Sequence, residues 1–440
     1  MIEEQNKIPT SKVARASSVF RTSMRVGANY IKHSAQRMVG SNVSEEELNN
    51  KNAEELFQLM SQLKGSALKI AQMLSMDTGI LPKSYAEKFA LAQNSAMALS
   101  SPLVMNTFVK YIGKTPTEVF DTFDMKAAHA ASIGQVHKAT KDGNLLAVKL
   151  QYPGVAESIH SDINLVKPLL LRFIGVQEKD VHEYLEEFEE RLNEECNYDL
   201  ELFHGQKFGA ACKDIPNLII PKYYNDLSAK KILTMQWIDA MPLQTFIQTE
   251  TEQENKNKIG QALLDFLHTC IHEQKSFHAD LHPGNFMVTD DLKLVVLDFG
   301  CVKTIPHDFY NYYFSLVRDD VVHDERKLRK CLNGLDLLRE SDTQELDSLF
   351  FNTALKAIHD ISKPMKSDVF YFGDVDFYEQ LHEHGKEIFD NKAFRNSNAM
   401  RGSRHSIYLH RAFFGLYSIL YNLNATVNID RSFVENVNVD

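Results

Sequence analysis

Residues 277–300 read FHADLHPGNFMVTDDLKLVVLDFG and set the frame for the rest of the chain. His278, Asp280 and Asn285 stand in the spacing H-x-D-x-x-x-x-N, and thirteen residues after Asn285 comes the triplet Asp298-Phe299-Gly300. ATP's phosphates repel an incoming nucleophile. A site for phosphoryl transfer therefore needs hard oxygen ligands for Mg²⁺ and a carboxylate that orients the attacking hydroxyl or water. Asp298 and Asn285 suit the metal, and Asp280 suits the orienting role. The apolar run Leu294 to Leu297 reads as a strand that delivers Asp298 at its end. A lone Asp in a loop is ordinarily a cap or turn former. Four positions at this spacing outweigh that reading.

Upstream, residues 123–152 read FDMKAAHAASIGQVHKATKDGNLLAVKLQY. Two alternating runs, Ile133 to Ala139 and Leu145 to Leu150, flank Lys141-Asp142-Gly143-Asn144, which is a hairpin signal. Val148-Lys149 fits the strand lysine that pairs with nucleotide phosphates. The phosphate loop before it is modified. Ending the pattern G-x-G-x-x-G-x-V on Val136 puts Gly134 at the third glycine, while His129 and Ala131 replace the first two. A methyl group where glycine is usual restricts backbone approach, so Ala130, Ala131, Ser132, Gly134 and Val136 are expected to meet the phosphates in a different way.

The segment Ser158 to Phe208 reads as helical, and Glu195 near its end is the expected carboxylate partner of Lys149. It lies 46 residues beyond the lysine, which requires an inserted helix. Leu218 to Pro221 and Ile232 to Ile238 read as strands, with Met235, Gln236 and Ile238 placed where a hinge between lobes holds adenine. After Gly300 there is no A-P-E, and the aromatic run from Tyr310 signals an early helix, so the usual platform for a peptide substrate is missing. Arg411 to Leu423 reads as a core helix rather than a membrane anchor.

Composition bounds these readings. A chain of 440 residues, 44% hydrophobic and 24% charged, suits a two-lobed globular enzyme with extensions. The five cysteines form no C-x-x-C and no Cys/His cluster, so free thiols in a reducing compartment are expected, without structural zinc. No window approaches the roughly 18 to 20 uninterrupted apolar residues of a membrane span. Residues 1–40 hold seven Lys/Arg against two Glu, leaving the remainder with 41 basic and 57 acidic residues. An acidic body argues against nucleic acid as a partner, and the basic head suits an anionic surface. As a helix, residues 7–40 gather Val13, Phe20, Met24 and Ile31 on one stripe between basic flanks. An arm packed on the protein's own lobe and a cleaved transit peptide are the alternatives, the latter weakened by Glu3 and Glu4.

Taken together, the chain resembles the UbiB family of atypical kinase-like proteins, closest to the coenzyme Q biosynthesis kinase-like branch. The marks are Lys69-Ile70-Ala71-Gln72 for the K-x-G-Q signature, Ala127 to His137 for the alanine-rich loop, and Ala147-Val148-Lys149 for the strand lysine. Glu195-Cys196-Asn197 stands for E-x-D, and His278 to Asn285 with Asp298 to Gly300 supplies the catalytic set. Departures are Ala71 for the signature glycine, Asn197 for the acidic residue, and His129 in the alanine-rich loop. His282 stands where protein kinases usually carry a lysine.

The resemblance implies an α+β fold: a two-lobed protein kinase-like structure with an N-terminal helical extension and a mostly helical C-terminal lobe. The expected divisions are a basic extension over 1–45, a helical extension over 46–122, an N-lobe with inserted helix over 123–240 and a C-lobe over 241–440. It implies ATP and Mg²⁺ as cofactors, with Lys69 and Gln72 closing the nucleotide pocket and His278 and His282 completing the catalytic loop. It also implies a role in isoprenoid quinone synthesis beside quinone-pathway lipids or enzymes, in the cytoplasm and peripheral to the inner membrane. A small-molecule phosphotransferase of the aminoglycoside or choline kinase type and a nucleotide-gated lipid-binding scaffold are the rival readings.

Overall fold

The computed structural model describes residues 4–5, 22, 24, 45–63, 69, 88, 98–130, 133–174, 186, 189–390 and 402–437. The basic head, apart from its few described residues, and Gln72, Ala131 and Ser132 lie outside these. The chain divides into two units, Met1–Leu202 with Tyr223–Trp237, and Phe203–Lys222 with Ile238–Asp440.

The first unit is built on a five-stranded sheet. Thr122–Phe123, Gly134–Lys141, Asn144–Gln151 and Ile232–Gln236 lie in that order, and His129–Ala130 also pairs with Gly134–Lys141. The hairpin expected at Asp142-Gly143 is present, with φ of 49° and 75° at those two residues. Positive φ at both central positions makes the turn twist with its strands, and Asp-Gly tolerates it. Leu146, Val148 and Leu150 point into a core shared with Leu56, Leu59 and Met60 of helix Glu45–Leu63. Val104 and Phe108 of helix Ser101–Ile112, and Ile159 and Ile163 of helix Val155–Ile174, fill the same core.

A buried polar relay ties the sheet to the segment before it. The Leu99 amide donates to Gln135 Oε1 at 2.5 Å, Gln135 Nε2 bonds His137 Nε2 at 2.7 Å, and His137 Nδ1 bonds the Asp124 carbonyl at 2.8 Å. A carbonyl only accepts, so Nδ1 carries the ring proton and Nε2 accepts from the amide. Burial also pushes the His137 pKa down, in keeping with a neutral ring.

The helical segment expected over Ser158 to Phe208 is interrupted. Helix Val155–Ile174 is followed by helical residues 189–195, a break at Cys196 and Asn197, and a new helix, Tyr198–Ala211. Asn197 caps the new helix: its Oδ1 accepts from the Leu200 amide at 3.2 Å, the bond of a helix N-cap.

In the second unit a four-stranded sheet runs Leu218–Ile219, Leu294–Val296, Phe286–Val288, Met241–Pro242. Pro242, which has no amide hydrogen to give, sits on an edge strand. Ser276–His278 pairs antiparallel with Val302–Thr304, so the chain entering and the chain leaving the catalytic stretch are clamped together. Helix Arg404–Asn422 buries Leu409, Ala412, Leu416 and Leu420 at helical spacing, which makes the aromatic C-terminal segment core. Among the described residues no helix is long and apolar enough to cross a membrane.

Candidate active site

Each unit carries its own constellation. In the second unit, the buried ring of His278 organises the catalytic loop. Its Nε2 bonds the Asp298 carbonyl at 2.5 Å, and its Nδ1 accepts from the Asp280 amide at 3.1 Å. Since the amide must donate and the carbonyl must accept, the ring is a neutral Nε2–H tautomer. One side chain thus spaces the backbones of the two aspartates. His278 also lies 6.0 Å from the Phe299 ring, which stacks on Phe208 at 5.5 Å. His204 Nδ1, four residues before Phe208, reaches the Phe299 carbonyl at 3.3 Å, and burial holds the His204 pKa low.

Asn285 Nδ2 donates to the Asp280 carbonyl at 2.8 Å and lies 3.4 Å from Asp280 Oδ2. With the nitrogen committed there, the amide oxygen is the atom of Asn285 suited to a metal. Asp298 Oδ1 accepts from the Gly300 amide at 2.8 Å, which fixes that carboxylate. Among the described residues no three His, Cys, Asp or Glu side chains are grouped to hold a metal. Two protein oxygens, from Asp298 and Asn285, suit Mg²⁺, which takes few protein ligands and fills its octahedron with phosphate and water. His282 Nδ1 accepts from the Gly284 amide at 3.1 Å and caps the turn Pro283–Asn285 that presents Asn285.

In the first unit, Lys149 lies on the central strand with its register partner Val136 beside it. Glu195, expected to orient this lysine, instead pairs with Lys69 at 3.0 Å. The bidentate partner of Lys149 is Glu201, at 2.9 and 3.0 Å. The interruption at Asn197 is the physical reason: helix Tyr198–Ala211 starts afresh, and its first turn carries Glu201 to the lysine. The Glu201 side chain is 1% exposed and that of Lys149 14%, so this is a buried pair. The Lys149 ammonium also lies 5.3 Å from the Tyr198 ring centre. An N-cap Asn followed by acidic residues in the next turn was the available signal for Glu201.

Gly134 holds its place through close approach: a Cβ there would meet the Leu150 carbonyl oxygen at 2.5 Å and the Tyr198 hydroxyl at 3.0 Å. Ala130 pairs with Gln135 in the sheet. Met235 is buried beside Ala147 and Gln236 is exposed beside Leu146, while Ile238 belongs to the second unit. Trp237 stacks with His129 at 6.1 Å and lies 4.8 Å from the Lys138 ammonium.

Comparison with known proteins follows the same lines. Residues 91–332 match the family model described as the ABC1 atypical kinase-like domain. The chain is 28% identical over 349 residues to "Atypical kinase COQ8B, mitochondrial" of Danio rerio, a match covering 76% of this chain and 55% of that protein. It is 26% identical to "Atypical kinase COQ8, mitochondrial" of Saccharomyces cerevisiae over 98% of this chain and 86% of that one. Among solved structures, Rv3197 of Mycobacterium tuberculosis, determined in complex with erythromycin, superposes with a TM-score of 0.60 at 26% identity, covering 89% of this chain and 97% of that one.

Proposed function

Because the chain belongs to the ABC1 atypical kinase-like family, we propose that it binds Mg-ATP and transfers or hydrolyses the γ-phosphoryl group, supporting isoprenoid quinone synthesis at a membrane surface. The observation that carries the catalytic part is the His278 ring, bonded to the backbones of both Asp280 and Asp298. It holds an orienting carboxylate and a metal-type carboxylate in one fixed relation.

Asp280 positions the attacking hydroxyl or water and accepts its proton as the new bond to phosphorus forms and ADP departs. Asp298 and Asn285 would hold Mg²⁺, which when bound neutralises phosphate charge. Lys149 neutralises further phosphate charge, and Glu201 keeps its ammonium from turning away. Lys69, paired with Glu195, would cover the nucleotide, with Gln72 assigned the same role on the likeness to the UbiB family alone.

From Gly300 the chain passes directly through strand Val302–Thr304 into helix His307–Ser315, leaving no long segment on which a peptide would lie. The quinone and membrane parts rest on the likeness to the UbiB family and on the basic head. Asp298→Asn is expected to abolish the Mg-dependent rise in melting temperature on adding ATP; an undiminished rise would contradict the assignment. ATP hydrolysis measured with and without anionic vesicles tests the membrane part, with stimulation as the expected result.

A further inference from the structure

The strand that carries Lys149 ends in a second buried polar side chain, Gln151, which is 1% exposed. Two residues apart on one strand, Lys149 and Gln151 project to the same face. Gln151 Nε2 donates to the Cys196 carbonyl at 2.9 Å, and its Oε1 accepts from the Lys231 ammonium. The Gln151 amide also donates to the Lys231 carbonyl at 3.1 Å, so the two residues are joined through main chain and side chain. Lys231 is 8% exposed.

The target of this chain of bonds is a helix end. Residues 189–195 are helical, the Cys196 amide closes the last turn onto the Leu192 carbonyl at 3.1 Å, and the Cys196 carbonyl lies past that end. Carbonyls at a helix C-terminus lack intrahelical partners and carry partial negative charge, so a donor backed by a cation complements them. The ammonium also decides which way round the amide sits. With Lys231 holding the oxygen, the NH₂ group must face Cys196, and a flip would set donor against donor.

We propose that Lys231 and Gln151 are positioning residues for the nucleotide constellation of the first unit. They hold the Glu195–Asn197 turn against the lysine strand and so fix the registers in which Glu195 meets Lys69 and Glu201 meets Lys149. The strand then grips the segment at two points, the Cys196 carbonyl before the helix and Glu201 within its first turn. Neither residue is a catalytic one. The inference rests on the nucleotide reading above for its kinetic consequence, but not for its structural one.

Gln151→Glu separates the two bonds, since a carboxylate still accepts from Lys231 but cannot donate to Cys196. Lys231→Met, the second variant, removes the cation and frees the amide to turn. Loss of one such bond corresponds to about a tenfold change in an equilibrium. The KM for ATP is expected to rise about tenfold in each variant, with kcat within about twofold of the parent.

A second readout needs no nucleotide. Cys196 is buried and its thiol is pushed up to about 12 by that burial, so it resists alkylation in the parent protein. In both variants iodoacetamide, followed by peptide mapping, is expected to label Cys196 about tenfold faster, while Cys212, Cys270, Cys301 and Cys331 stay protected. Equal gains at all five cysteines, or no gain at Cys196, would overturn the proposal. If the parent protein binds no ATP, the functional reading falls, and the labelling pattern still decides whether the strut exists.

Discussion

The two units hold their chemical groups by different means. In the second unit the aspartates and Asn285 come from one stretch of sequence and are fixed mainly through backbone: an amide at Asp280, carbonyls at Asp280 and Asp298, an amide at Gly300. In the first unit the positions are set by buried pairs between residues far apart, Lys149 with Glu201 and Lys69 with Glu195. Backbone-held groups follow once the local fold forms. Ion-paired groups stay in place only while both partners are present, because a buried charge left alone is strongly unfavourable.

The largest expected effect tests that dependence. Glu201→Gln leaves the Lys149 ammonium beside a neutral amide, and breaking a buried pair costs about 3 to 5 kcal/mol. Glu195→Gln is expected to cost less, about 2 kcal/mol or below, because this pair is the more exposed of the two, Glu195 at 8% against 1% for Glu201 and Lys69 at 19% against 14% for Lys149. Urea unfolding of the two variants measures both. Equal losses would show that the difference in exposure between the two pairs does not set the cost.

How much was legible in the sequence follows from the same contrast. His278, Asp280, Asn285 and Asp298 were readable because their spacing is a property of one loop and two short strands. The Asp142-Gly143 hairpin was readable because a two-residue turn demands its own residue types. Glu201 was not. Glu195 and Glu201 are both acidic and both near helical residues, and only the restart at Asn197 decides which one faces Lys149. Leu218–Ile219 was readable as a strand, yet nothing in its two apolar residues says that it runs parallel beside Leu294–Val296 in the second unit. The Gln151–Lys231 bond joins residues 80 apart, and no local pattern announces it.

Acid should separate the units next. In the second unit burial drives four histidines below their ordinary value of 6.5: His204, His268, His410 to about 4 and His272 to about 2. In the first unit His137 is lowered in the same way. A histidine whose folded pKa is depressed binds its proton more readily in the unfolded chain. Its contribution is therefore complete above 6.5 and is lost as pH falls toward the folded value, by up to about 1.4 kcal/mol per pH unit for the deeply buried rings of His272 and His410 and by less for the partly exposed His204. Between pH 7 and pH 5, amide protection in the second unit is expected to fall before the emission of Trp237, the protein's single tryptophan, which lies in the first unit. Simultaneous loss would mean that the four rings do not govern acid stability.

The smallest expected effect bears on what sets Glu201 in place. Asn197 caps the helix through one side-chain bond to the Leu200 amide, and losing such a cap costs about 1 kcal/mol. Asn197→Ala should lower stability by that amount, and Asn197→Asp, which keeps the acceptor, should remain within about 0.5 kcal/mol of the parent. The added charge gains from the helix N-terminus and loses to Asp199 and Glu201 in the first turn, so the two contributions oppose. Neither variant should change the KM for ATP appreciably, because the lysine strand still grips the segment at the Cys196 carbonyl and at Glu201 whether or not the turn between them is capped. A KM rise of about tenfold in Asn197→Ala, as large as that expected for Gln151→Glu, would reverse the order of causes: the cap, and not the two grips of the strand, would place the carboxylate.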